Sequence, residues 1–128
     1  MPLFRKYNVK MLLAGHEHLF EHWIERYQDA QGRKYRLDEV VTGGGGAPLY
    51  PYLGTPDLRD YIKSNESSKV SLEQLARPGP NPGDNPYHYV VVRIDGETIR
   101  LEVIGVDWGR DFQPYRSRRA DLKDEAPE

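Results

Sequence analysis

Tyr87-His88-Tyr89-Val90-Val91-Val92-Arg93-Ile94 is followed at once by Asp95-Gly96 and then by a second β-branched run over residues 98–106. No other stretch narrows the possible folds as much. Branched and aromatic side chains suit a pleated, half-buried surface. An Asp-Gly pair between two such runs marks a hairpin. A second pair of strands is legible upstream. Residues 19–27 are apolar and aromatic with charges inserted, as in a partly exposed strand. Residues 28–33 supply the connection, and residues 34–42 return as a strand ending in Val40-Val41. The chain therefore reads as strand-rich, with one or two short helices.

The connecting segments support this division. Leu3-Phe4-Arg5-Lys6-Tyr7 has the cations of a helix's last turn, where the dipole favours them, and Asn8 suits a left-handed cap. So short a helix suggests that the chain begins inside an element, as a piece cut from a longer protein would. Thr55 as N-cap with Pro56 behind it starts a helix expected to run to about Lys63. Residues 70–77 fit a strand through Val70 and Leu72, and a helix through Leu72, Leu75 and Ala76. Residues 78–86, with four prolines, form a loop. Residues 1–106 thus carry the fold, and residues 107–128 read as a polar, flexible tail, its charges over 116–128 solvated.

Composition removes several functions. The 128 residues allow one small domain with a real core. A net charge of -2, with the basic residues scattered, offers no nucleic-acid signature and no attraction to an anionic membrane. No apolar run approaches a membrane span. The absence of cysteine excludes disulfides, thiolate metal sites and a thiol nucleophile.

Chemistry concentrates at Gly15-His16-Glu17-His18, directly after the apolar run Val9-Lys10-Met11-Leu12-Leu13-Ala14. Imidazole is the commonest side-chain ligand for zinc-, iron- and manganese-type ions. After a short buried strand, extended backbone would point His16 and His18 to one side and Glu17 to the other. Gly15 would permit the sharp turn. The bland alternative is a pair of satisfied surface histidines. Gly43-Gly44-Gly45-Gly46 tempts a phosphate-cradle reading, but no Lys-Ser/Thr and no helix start follow it. A strand exit needing positive φ or close backbone approach is the better account. His22 reads as a partly exposed sheet residue and His88 as a strand-edge hydrogen bonder. Tyr50, Tyr52, Tyr87 and Tyr89 have the option of lining a pocket, though aromatic strand residues ordinarily pack.

Phe4-Arg5-Lys6-Tyr7-Asn8-Val9 leading into Leu13-Ala14-Gly15-His16-Glu17-His18 resembles the last motif block of the calcineurin-like metallophosphoesterases. Val41-Thr42-Gly43-Gly44-Gly45-Gly46-Ala47-Pro48-Leu49-Tyr50 resembles the glycine-rich segment that follows it in the purple-acid-phosphatase-like branch, and the hairpin from His88 resembles the closing strands. The resemblance spans residues 3–106. It implies an α+β or α/β class, as the strand-rich C-terminal half of a four-layer α/β/β/α sandwich. It also implies two divalent or trivalent ions (Fe, Zn or Mn type) and hydrolysis of a phosphate ester by metal-activated water.

By this analogy His16 would bind the second metal and His18 the first, with Gly15 and residues 43–46 shaping the site. The family's other blocks, an Asp-x-His, a Gly-Asp-x-x-Asp and a Gly-Asn-His, do not occur here. Gly83-Asp84-Asn85-Pro86 is no substitute, since Tyr87 stands where the second acid should be. Each metal needs about three protein ligands, so the chain alone is expected to be inactive, with the option that it holds no metal by itself. The alternative is a non-catalytic β-rich module, kept for binding or assembly, that self-associates through exposed sheet edges.

Overall fold

The computed structural model describes residues 2–49, 60, 63, 64, 69–76, 87–106 and 118–122. One helix and seven strands lie among them: α1 (Pro2–Lys6), β1 (Met11–Ala14), β2 (Phe20–Gln28), β3 (Lys34–Thr42), β4 (Val70–Ala76), β5 (Tyr87–Asp95), β6 (Thr98–Val106) and β7 (Arg118–Leu122). The class is a small, strand-rich α+β domain. No helix among the described residues is long and apolar enough to cross a membrane.

Local chemistry sets the element ends. Asn8 adopts φ 51°, with Val9 N–H donating to Phe4 C=O at 3.0 Å and Asn8 N–H to Arg5 C=O at 3.2 Å. This is the paired bonding that closes a helix on a left-handed residue. Between β2 and β3 the Asp29 carboxylate accepts from the Gln31 and Arg33 amides, both at 2.9 Å, and from the Arg33 guanidinium at 2.7 Å. Gly32, at φ 80°, completes that connection. Desolvation works against the Asp29 charge, yet these donors and Tyr35 hold its pKa at about 2. The β5–β6 connection is Gly96 and Glu97, with Asp95 paired to Thr98 and Gly96 at φ 57°. A glycine first in a two-residue turn suits the strand twist.

The strands form two sheets, ordered β1-β3-β2-β4 and β5-β6-β7. In the first, β1 runs parallel to β3, while β2 is antiparallel to both β3 and β4. The sheets pack through Phe20 and Val40 on one side and Leu101 and Val103 on the other, with Met11, Val90 and Val92 against them.

Several expectations change here. The strand before the histidines is not buried: among the described residues β1 is paired on one side only, and Leu13 is 49% exposed. Conversely β2, flanked on both sides, is largely buried rather than partly exposed. Residues 70–76 are strand, because pairing with β2 outweighs their local ambiguity. Of the expected charged tail, Arg118–Leu122 is β7, backbone-paired to β6. The rest of residues 107–128 lies outside the described residues. So does most of the helix expected from Thr55, of which Asp60 and Lys63 are described and helical.

Candidate functional site

Residues 15–19 leave β1 not as extended chain but as a run of bends. His16 itself takes the left-handed conformation, φ 76°. Leu19 N–H then donates to Glu17 C=O at 2.8 Å, a tight three-residue turn around His18. The alternation that would put both rings on one side therefore does not operate. Gly15 is not the left-handed residue, and a Cβ on it would meet nothing within 4 Å. A left-handed histidine is uncommon, though histidine tolerates that region better than most residues.

The two rings differ in setting. His16 is exposed and His18 half-buried. The His18 Nδ1 lies 2.8 Å from the Pro48 carbonyl. A carbonyl accepts, so Nδ1 carries the proton and Nε2 is the lone-pair nitrogen of the neutral ring. Metal-binding histidines are ordinarily oriented by a bond of this kind from their other nitrogen.

The glycine segment leans on the same loop. A Cβ on Gly43 would strike the Glu17 carbonyl, and one on Gly44 the His88 ring. Gly43 N–H donates to Leu19 C=O at 3.1 Å, while Gly44 C=O accepts from His88 N–H at 3.1 Å. Residues 43 and 44 therefore join the histidine loop to the first residues of β5, Gly43 by close approach to the Glu17 backbone and Gly44 by close approach to the His88 ring. Gly46 needs glycine for a different reason, φ 146°.

Neither remaining histidine joins His16 and His18. His22 is 3% exposed, not partly exposed as expected, and its Nε2 donates to Asp38 Oδ1 at 2.6 Å. Asp38 also receives the Arg36 guanidinium at 2.7 and 2.8 Å. Desolvation pushes the Asp38 carboxyl up, but the His22 and Arg36 bonds outweigh it and hold it below 3.8. His88 is 4% exposed, its Nε2 3.1 Å from Thr42 Oγ1 and its ring edge-on to Phe20 at 5.3 Å.

Sequence reasoning missed a second set of buried charges. Glu25, fully buried, receives Arg5 at 2.6 and 2.9 Å. One Glu39 carboxylate oxygen is buried without a hydrogen-bond partner. Burial, then the nearby Glu25 charge, pushes the Glu39 carboxyl above 4.5, against the pull of Arg5. The available signal was Asp38-Glu39 set inside the apolar run Leu37 to Val41.

As a metal site the donors fit in kind and fall short in number. No group of three or more His, Cys, Asp or Glu poised for a metal occurs among the described residues. Comparison with family models, with curated proteins and with solved structures found no match to this chain.

Proposed function

We propose that this chain is the C-terminal portion of a metal-dependent phosphoesterase of the calcineurin-like, purple-acid-phosphatase-like type. Its two sheets would be half of the α/β/β/α sandwich, and His16 and His18 would be two of the ligands. The observation that carries the reading is the His18 Nδ1 bond to the Pro48 carbonyl. It aims the other nitrogen of a loop histidine and ties that loop to the glycine-rich segment that the resemblance pairs with it.

In the complete enzyme two ions would polarise the phosphoryl oxygen and lower the pKa of a bound water. The role of this chain's own residues is narrower. His18 presents an oriented imidazole, His16 an exposed one, and Gly43 and Gly44 keep the loop against β5. The carboxylate ligands would come from polypeptide carrying the missing blocks.

The test is paramagnetic. Mn²⁺ titrated to millimolar concentration should broaden the ring signals of His16 and His18 before those of His22 and His88, and His18→Ala should weaken the effect at His16. Equal broadening at the buried His22 and His88, or adjoining coding sequence that lacks the Asp-x-His, Gly-Asp-x-x-Asp and Gly-Asn-His blocks, would sink the proposal.

The runner-up is a non-catalytic assembly module, favoured by one feature: among the described residues β1 is paired on one side only, with Leu13 exposed. Light scattering discriminates the two, since the module reading requires a concentration-dependent dimer in metal-free buffer.

A further inference from the structure

Beyond the histidine loop lies an open cavity of about 400 Å³, lined by the backbone of residues 44–46, by Tyr87, His88 and Tyr89 and by Val106. Its volume falls within the range of small-molecule sites. Tyr87 and Tyr89 are two apart on β5 and share a face, opposite the face that sends Val90 and Val92 into the core. Tyr89 is 51% exposed, so its ring is not consumed by packing. The two phenols stand on one face of β5, about 6.8 Å apart along the strand. Val106, paired with Tyr87, extends it with an apolar surface.

The facing wall is glycine, and the four glycines are not equivalent. Protein contacts forbid a side chain at Gly43 and Gly44, and the dihedral angle disfavours one at Gly46. At Gly45 neither holds: its φ is not left-handed and a Cβ there would meet nothing within 4 Å. What the bare backbone at Gly45 preserves is the open cavity. Glycine at such a point lets a ligand approach the backbone closely.

We propose that this cavity binds the planar aromatic ring of a small molecule, stacked on Tyr87 and Tyr89 with its edge toward the amides of residues 44–46. A nucleobase and an aryl alcohol share this chemistry. The site stands on β5 and the glycine segment alone, and does not depend on metal at His16 or His18.

Adenosine and 4-methylphenol, titrated separately into the metal-free full chain and followed by amide NMR, test it. Shifts confined to residues 44–46, 87 and 89 are expected from at least one probe, and which one responds identifies the source. Gly45→Leu, whose Cβ would meet no protein atom within 4 Å and whose branch would occupy the cavity, should weaken binding at least about tenfold while leaving the spectrum away from the cavity in place. Tyr89→Ala should weaken it about tenfold, toward the lower end of what ring stacking contributes. No shift with either probe at millimolar concentration, or unchanged affinity in Gly45→Leu, would overturn the proposal.

Discussion

The four histidines divide into two pairs with opposite physics. His22 and His88 lie inside the packed sheets, each at hydrogen-bond distance from a side chain of β3. His16 and His18 lie outside the sheets, one in an unfavourable backbone conformation and the other held by a main-chain carbonyl. The first pair spends its ring nitrogens on the fold. The second pair carries backbone strain at His16, and strain of this kind clusters at functional sites. Burial and partner, not residue type, separate a structural histidine from a candidate ligand.

The largest effect should come from the buried pair's side. Asp38→Ala leaves His22 and Arg36 without their shared carboxylate inside the protein, and loss of one partner from a buried network costs about 3–5 kcal/mol. Urea denaturation measures it. A loss below about 1 kcal/mol would mean that the network is solvated and that the contrast fails. Acid acts in the same sense: the lowered Asp38 carboxyl contributes stability above 3.8 that disappears as pH falls below that value.

Next comes the junction between the pairs. Gly44→Ala drives a methyl into the His88 ring and should cost about 1–3 kcal/mol, as overpacking does. In a His88→Ala background the same change should cost clearly less, and a double-mutant cycle by thermal denaturation shows it. Additive losses would mean that the backbone at residue 44, not the ring, sets the constraint.

The exposed pair should respond with the opposite sign. His16→Gly relieves a left-handed non-glycine residue and should raise stability by about 1 kcal/mol, while removing a ligand from the Mn²⁺ titration. A destabilised His16→Gly would place His16 among the structural histidines.

The smallest effect sharpens the comparison through a group that is buried without being paired. Because the Glu39 carboxyl is raised, the folded chain keeps a proton that the unfolded chain releases earlier. Stability therefore declines as pH rises above 4.5. Glu39→Gln should flatten that decline on the alkaline side of 4.5, read from melting temperatures, and an unchanged slope would show Glu39 to be solvated.

Much of this was readable residue by residue. The hairpins and the Asn8 cap follow from short-range rules, because a turn or cap is decided by a few neighbouring residues. The need for glycine over residues 43–46 and the hydrogen-bonding role of His88 were legible from residue type and position, but their partners, Glu17, the His88 ring and Thr42, were not. The burial of His22 was not, since its partner lies sixteen residues away and only the β2–β3 register brings Asp38 beside it. Nor was the turn at His16, where an extended chain was the natural expectation and the neighbouring glycine the obvious hinge.

By itself the sequence determined the strand content and the hairpin turns, because these depend on backbone sterics and side-chain shape within a few residues. Tertiary structure decided which strand became an edge, which carboxylates were buried together and which glycine faced a cavity. Those outcomes depend on what packs against each face, and a linear pattern of apolar and polar residues does not say which faces meet.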